Sequence, residues 1–581
     1  MLRRYLVAHL VIVCFSQNLY VETNASGNDE LNDTKGELLY NGIRLPANWP
    51  PRIDTLTREP RPAPPYLAHP PAVIPIDVGR QLFVDDFLIQ QTTLKRTYHL
   101  PEYYSGNPVV FPNKAWETDR TMVFSDGVWY DPADQLFKIW YWSGRHPNYV
   151  TCMATSRDGV HWDKPAFDVV PGTNIVQSDE PGLYRDSNTV WLDHDEKDPA
   201  RRFKMFRVVV NEKKSDVVKQ TIDKWIKIAF SPDGIHWTMA AESDNCGDRT
   251  TVFYNPFRKA WVFGLRDGTA EVSRCRRYRE HTDILLGARF QENGQRFSTL
   301  WVGADALDPD RSDLTLRRPK DRPWDLVPSQ LYNLDCVAYE SVMLGLFSVW
   351  RGQPIDRPKV NEVCVGYSRD GFHWSRPDRR AFCPISNVQG SWNYSNVQSA
   401  AGCCLVVGDK LYFYISGRKG AHGTIVDGEC STGLAILRRD GFSSMDAAQN
   451  EGMLITRPVT FSGKQLFVNV NSAKGALAAE VLDADGKVVA PFSKENCTPI
   501  TADSTIQPVA WKGGTDLASL AGKSVRFRFY LRDGSLYAFW VSSDDSGASR
   551  GYVAAGGPGF VGATDMQGTA AYKVATEKPS Q

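Results

Sequence analysis

A chain of 581 residues is too long for one ordinary hydrophobic core, so at least two domains are expected. Its 67 Lys and Arg balance 67 Asp and Glu, which removes the electrostatic reason to expect nucleic acid or an anionic membrane as a partner. Trp, Tyr and Phe make up 12% of the chain, a richness that suits β-structure and surfaces on which ligand rings stack.

The chain opens "MLRRYLVAHLVIVCFSQNLYVETNASG", with Arg3 and Arg4 ahead of an apolar run from Leu6 to Phe15 and polar residues after it. That order predicts a secretory leader over residues 1–27, too short to span a bilayer, and hence a secreted or periplasmic protein. No other segment is apolar enough to span a membrane. Residues 28–75 are proline-rich and aperiodic, which predicts an extended strap or linker. From Ile76 onward, short alternating or apolar runs are separated by turns and helical periodicity is almost absent, so the chain reads as all-β. The 11 cysteines show no C-x-x-C or zinc-like spacing and are expected mainly as buried free thiols. No cofactor motif is present. The basic run Ser273 to Arg279 ("SRCRRYR") reads as a solvated strand edge.

One phrase recurs: "SRDGVHW" at 156–162, "SPDGIHW" at 231–237 and "SRDGFHW" at 368–374, with a worn copy, "RRDGF", at 438–442. Asp-Gly supplies a tight turn and Ser can bond to its backbone, so these are structural turns and His161, His236 and His373 are structural with them. Before each such region stands a strand, a turn and an aromatic-rich strand, beginning at Gly127, Thr189, Thr251, Cys336 and Cys403. Five units of this kind predict a five-bladed β-propeller over 76–452. Residues 453–543, where "VRFRFYLRDGSLYAFWV" alternates and turns on Asp-Gly, predict a small antiparallel β-sandwich. The Gly- and Ala-rich stretch 544–581 reads as a flexible tail.

In a propeller the first strand of each blade lines the central channel. Asp186 and Asp248 stand seven residues before the first-strand ends at Asp193 and Asn255; Asp126 and Asp335 stand five before Asp131 and Glu340. Those offsets share one parity and therefore one strand face, so the four carboxylates are expected to converge.

This architecture, with "RDS" at 185–187 and the S-x-D-G-x-H-W strands, resembles the glycoside hydrolase family 32 and 43 group over Ile76 to about Val541. Arg185-Asp186 is similar to the Arg-Asp-Pro motif of family 32, with Ser187 in place of proline. The first-blade region "FPNKAWETDRTMVFSDGVWYD" lacks that family's W-M-N-D-P-N-G motif, although Trp116 and Asp119 keep a Trp-x-x-Asp spacing. Asp248, in "NCGDRTTVF", stands where the family has a Glu-Cys acid. The resemblance implies cleavage of a glycosidic bond by one protonated and one ionised carboxyl group, the substrate being a carbohydrate. On that basis Asp248 is expected as the acid, Asp126 as nucleophile or base, and Asp186 as stabiliser of the transition state beside Arg185. Asp119 and Asp86 are rivals to Asp126, and Glu340 is a second candidate acid that falls at a hairpin turn, where a solvated role is expected. Asn333, Asp335 and Arg266 are candidate substrate-binding residues, and Trp116, Trp129, Trp142 and Trp392 could stack on sugar or pack the blades. Asp85-Asp86 is expected to cap the first strand. No metal-ligand spacing stands out, although clustered acids could hold calcium. Two further readings remain open: an enzyme that cleaves glycosides with phosphate, which would need a basic pocket in the channel, and a carbohydrate-binding propeller without catalysis.

Overall fold

The computed structural model describes residues 36–576 except 147, 217–220, 309–327, 355–356, 403, 422–425 and 515. The leader expected over 1–27 lies outside the described residues. Among the described residues the fold is nearly all β, and the α-helices are short: Pro65–Ala68, Ile284–Gly287 and Thr569–Thr576.

Antiparallel meanders follow one another along the chain. The first comprises Val128–Asp131, Leu136–Arg145, Asn148–Ser156 and Ile175–Ser178; the second, Leu183–Leu192, Phe203–Asp216, Thr221–Ser231 and Thr238–Asn245. The third comprises Thr251–Asn255, Ala260–Asp267, Cys275–His281 and Thr299–Gly303. Gln330–Glu340, Val342–Gly352 and Val360–Ser368 form the fourth, which a parallel pairing of Asn361 with Asn396 joins to the fifth in one sheet. In the fifth, Asn396–Ser399 and Leu405–Val407 both pair with Lys410–Arg418, which pairs with Cys430–Arg438. The last strand of that meander comes from the other end of the chain, Glu102–Tyr103 on Cys430–Arg438. The aromatic-rich second strands do not alternate because both of their faces are covered. In Leu136–Arg145 every side chain from Phe137 to Gly144 is buried between neighbouring sheets.

The recurring turn explains how neighbours are joined. In each full copy the aspartate Oδ1 accepts two backbone N–H groups, at 2.8 and 2.8 Å for Asp158, and Oδ2 faces the histidine Nδ1 at 2.7 Å. Asp233 and Asp370 repeat the arrangement. The glycine carbonyl or its neighbour then accepts from an aromatic side chain of the preceding meander. Trp140 Nε1 donates to Gly234 O at 2.8 Å, Trp301 Nε1 to Phe372 O at 2.7 Å, and Tyr414 Oη of the fifth meander to Gly159 O of the first at 2.5 Å. The three histidines are thus structural, as expected. The worn copy is joined differently: the Asp440 carboxylate itself accepts from Tyr339 Oη at 2.6 Å and from Arg80 and Asn469 at 2.9 Å.

Two further sheets share one apolar core built from residues such as Phe83, Leu454, Val468, Leu477, Phe529 and Phe539. One sheet runs Asp503–Pro508, Gln465–Asn471, Gly534–Ser542, Ser443–Ala447, Lys95–Tyr98; the other runs Ile89–Thr92, Gly452–Thr456, Arg526–Arg532, Ala476–Leu482. The alternation of "VRFRFYLRDGSLYAFW" holds, with Phe527, Phe529 and Leu531 at 0% exposure. Its Asp-Gly, however, carries the chain from one sheet to the other and does not close a hairpin within one. The boundaries drawn from sequence shift accordingly. Residues 81–98 and 443–447 pair into these sheets and not into the meanders, because their apolar faces match this core. The proline-rich segment lies along both bodies: Leu45 and Tyr66 enter the second core, while Leu56 packs on Val272, Cys275 and Leu300 of the third meander.

The stretch from 544, expected to be flexible, is built in. Tyr552–Val553 pairs with Gln330–Glu340, Tyr130 N donates to Ala555 O at 2.9 Å, and the fully buried Asp565 pairs with Arg439 at 3.1 Å. Its small residues serve close approach: a Cβ on Gly557 would sit 1.7 Å from Val406 O. Cys152, Cys275, Cys336, Cys364, Cys430 and Cys497 are buried free thiols, as expected, and Cys246 is a half-buried one.

Candidate active site

The polar residues just before or early in each first strand meet at one place. Asp126 lies between Ser125 (φ 62°) and Gly127 (φ 126°), a turn that brings the chain sharply into its strand. Its carbonyl accepts from Val190 N at 2.6 Å, and its carboxylate, 0% exposed, receives both terminal nitrogens of Arg185 at 2.8 Å and Asn188 Nδ2 at 3.2 Å. Arg185 also donates to Thr151 Oγ1 at 2.8 Å and lies 5.3 Å from the Trp142 ring centre. Burial pushes the Asp126 carboxyl above its usual pKa, with Arg185 opposing the shift. Arg185 is therefore the partner of Asp126, where the sequence had placed it beside Asp186.

Asp186 is half-buried and sits in a bulge: the pairing with Phe203–Asp216 slips between Arg185 and Asn188. A bulge re-aims the side chain it carries. The Asp186 carboxylate accepts from Ser187 N at 2.8 Å and from Arg249 N at 3.1 Å. Arg249 (φ 57°) stacks its guanidinium 3.3 Å from the Phe124 ring centre and donates to Ser125 Oγ at 3.3 Å. Ser125 Oγ donates in turn to Asp335 Oδ2 at 3.1 Å, which also accepts from Asn333 Nδ2 at 2.8 Å and Ser399 Oγ at 2.5 Å. A chain of contacts thus runs from the first meander through the second, third, fourth and fifth. Ser125 N closes it by donating to Ser399 O at 3.1 Å. Burial raises the pKa of Asp335, whose Oδ1 is buried without a hydrogen-bond partner.

Asp248 stands apart, with its side chain 38% exposed and ion pairs to Lys224 at 3.4 Å and Arg266 at 3.2 Å. Burial raises its pKa, but Lys224, Arg266, Arg274 and Arg276 outweigh that and hold it down at about 2. Such a carboxyl stays ionised at neutral pH and suits the role of a fixed anion, not that of a proton donor. Asp248 and Arg266 line an open pocket of about 630 Å³ together with Lys224, Asp267, Arg277 and Arg296.

The remaining candidates divide plainly. Asn333 and Asp335 belong to the central cluster. Trp129 is 1% exposed and donates to Val190 O at 2.8 Å, so it packs two meanders and offers no face to a ligand. Trp116 donates to Asn174 Oδ1 at 2.9 Å and packs against the core of the meanders. Glu117, beside it, is 0% exposed and accepts from Tyr141 Oη at 2.7 Å; Asp119 pairs with Arg145 at 3.1 Å. Glu340 is neither solvated nor central. It is 0% exposed and meets Arg80 at 3.4 Å and Arg439 at 3.2 Å where the meanders abut the two-sheet body. Asp85 accepts from Phe87 N, in the turn ahead of Ile89–Thr92, at 3.1 Å and grips Arg369 at 2.8 Å; Asp86 pairs with Arg96 at 2.6 Å. Among the described residues, no group of three His, Cys, Asp or Glu side chains is placed to hold a metal ion.

Sequence reasoning missed the cations. The run at 273–279 is no solvated edge: Arg276 is 0% exposed, donates to Arg249 O at 2.6 Å and also donates to Tyr332 O. Arg249 follows Asp248 directly and was readable only as its neighbour. Tyr332 marks a second bulge, between Leu331 and Asn333, and Lys359 Nζ donates to its hydroxyl at 2.9 Å.

No family model matches the chain. Among curated proteins it is similar to a sucrose-6-phosphate hydrolase of Escherichia coli, 24% identical over 136 residues, 23% of this chain and 26% of that protein. The chain thus spans about a quarter of the length of the curated relative it matches. Among solved structures it is similar to a fructofuranosidase from Schwanniomyces occidentalis complexed with fructose. That match has TM-score 0.37 and 11% identity, and covers 76% of this chain and 98% of the other. A second is a glycoside hydrolase of the GH130 family of mannoside phosphorylases. It has TM-score 0.36 and 11% identity, and covers 62% of this chain and 96% of the other. Resemblance at this level leaves the functional argument to the geometry of the cluster.

Proposed function

We propose that this protein cleaves glycosidic bonds of an oligo- or polysaccharide, on a five-bladed β-propeller whose blades are the five meanders, with the two-sheet body as a β-sandwich beside it. The observation that carries this reading is the chain of contacts from Asp126 and Arg185 through Asp186, Arg249 and Ser125 to Asp335 and Ser399. It gathers carboxylates and donors from the first strands of all five meanders or from just ahead of them. The divergent likeness to family 32 and related glycosidases supports the same class, and the leader-like residues 1–27 support export.

Within this reading the roles follow from environment. Asp186 is the half-buried carboxylate available to substrate, oriented by the backbone N–H donors of Ser187 and Arg249. Asp335 is the carboxyl that burial biases toward its protonated form, held by three donors on one oxygen. Arg249 links the two, donating its main-chain N–H to Asp186 and its side chain to Ser125, itself a donor to Asp335, so that two carboxyl groups stand in unlike surroundings, as glycoside cleavage requires. Asp126 is a positioning residue, since both its oxygens are engaged by Arg185.

The test is sugar release from a broad panel of oligo- and polysaccharides by the purified protein and its Asp186→Asn variant. Release by the wild type that falls by roughly 10²–10⁴-fold in the variant is the expected result. Equal release by both would remove Asp186 from the chemistry. Binding of a glycan without release by either protein would leave a carbohydrate-binding propeller.

A further inference from the structure

Among the described residues, cations around Tyr332 outnumber the carboxylates placed to pair with them. Lys359 Nζ lies 4.9 Å from the centre of the Tyr332 ring, the Arg274 guanidinium carbon 5.5 Å and that of Arg249 5.9 Å. Arg276 approaches from below and donates to the Tyr332 carbonyl. Among the described residues none of these four has a carboxylate within ion-pair distance. Arg274 donates to the amide oxygen of Gln330 at 2.6 Å, Lys359 to the Tyr332 hydroxyl, and Arg276 to main-chain carbonyls. Arg249 is 3% exposed, and its Nε and Nη1 are buried without a hydrogen-bond partner. The nearby acids are engaged elsewhere: Asp186 with the main-chain N–H groups of Ser187 and Arg249, from where its charge also acts on the Arg249 guanidinium, Asp427 with Arg418 at 2.6 Å, Asp248 with Lys224 and Arg266, and Asp335 with three neutral donors.

Unpaired buried guanidinium groups cost several kcal/mol each unless something neutralises them. A protein that concentrates them at the end of a strand, beside a bulge that turns Tyr332 out of register, has placed them for an anion that arrives from outside. Two arginines and a lysine facing one tyrosine ring suit a compact, multiply charged acceptor of hydrogen bonds. Burial alone would raise the pKa of the Tyr332 hydroxyl, yet Lys359, Arg249 and Arg418 draw it below its usual value, which is the field an arriving anion would meet.

We infer that Arg249, Arg274, Lys359 and Tyr332 form a subsite for a tetrahedral oxyanion, phosphate or sulfate, supplied either as the free ion or as an ester on the sugar. The subsite adjoins Asp335 along one strand and Asp186 through Arg249, so it rests on the glycoside-cleaving reading for its role, though not for its ability to bind.

The experiment is calorimetric titration of the full chain with inorganic phosphate and, separately, inorganic sulfate, in chloride buffers of matched ionic strength. The wild type, Arg274→Gln and Lys359→Met are compared. Both replaced side chains are half-buried, so the variants keep the fold, which circular dichroism checks. Saturable binding of at least one ion, weakened about tenfold or more in each variant, is expected. Heats that follow ionic strength alone, or that are unchanged in both variants, would overturn the subsite. The release assay then separates the sources. Release that requires phosphate and yields a sugar phosphate identifies the free ion, and release from esterified glycans that inorganic phosphate inhibits identifies the ester. Oxyanion binding without release on any glycan would overturn the glycosidic reading and leave the subsite standing. Release without oxyanion binding would do the reverse.

Discussion

Arg185 is the side chain with most to lose at the residue scale. It holds a carboxylate that is itself fully buried, through two 2.8 Å contacts. Replacing Arg185 by Met strands Asp126 without its counter-charge in a site too dry to solvate it. Removing one partner of such a pair costs about 3–5 kcal/mol, whereas replacing both by apolar groups costs far less. Urea unfolding of Arg185→Met should show a loss of that size, and Asp126→Leu combined with Arg185→Met should recover much of it. A small loss in the single variant would mean that water reaches Asp126. The pair also shows what sequence could and could not supply. That Asp126, Asp186 and Asp335 meet was legible from first-strand position. Which carboxylate Arg185 would serve was not, because the bulge at Asp186 and Ser187 turns adjacent residues to different tasks. The offset counted for Asp248 was defeated in the same region, since it precedes its strand and answers to Lys224 and Arg266.

At the scale of the element, the recurring Asp-Gly turn is a joint between meanders as much as a reversal of the chain. Gly234 has φ 82°, and a Cβ placed there would lie 2.4 Å from Trp140 Cζ2. Gly172 has a similar φ, 79°, with nothing within 4 Å of its would-be Cβ. The two glycines separate backbone strain from packing. Gly172→Ala should cost about 1–2 kcal/mol, the left-handed penalty alone. Gly234→Ala should cost about 2–5 kcal/mol, since the rigid indole of Trp140 must also move. Comparable losses at both sites, measured by denaturant unfolding, would show that the turn does not join the meanders. The motif was visible in sequence through its spacing. Its partners were not, because Trp140, Trp301 and Tyr414 lie far from it along the chain and on strands whose apolar runs look alike.

For the whole molecule, the charged network of Arg80, Glu340, Arg439, Asp440 and Asp565 lies where the meanders meet the two-sheet body. Every side chain in it is at most 1% exposed. The segment 36–75 spans the same two bodies. Neighbouring residues of the same strands serve both cores, Leu82 and Ala538 in that of the meanders and Phe83 and Phe539 in that of the two sheets, so separating the bodies would expose apolar surface and calorimetry of the full chain should record one cooperative endotherm. Two well-separated transitions would show that the bodies melt independently. The fold class and the repeat were legible because alternation and Asp-Gly turns are local signals. The interlock was not, because it depends on pairings between residues hundreds of positions apart, such as Gln81 with Phe539 and Ser443 with Tyr98.

The strand Glu102–Tyr103 completes the last meander, and residues 81–98 complete sheets whose other members come after residue 442. A growing chain therefore produces these early strands long before their hydrogen-bonding partners exist. The first meanders can collapse as they emerge, but the seam stays open until Gly534–Ser542 has been made. Throughout that interval the waiting strands present unpaired edges, the kind that invites pairing with another chain. Dilution or a chaperone that keeps those edges from their like during that interval protects the folding chain at its most exposed stage.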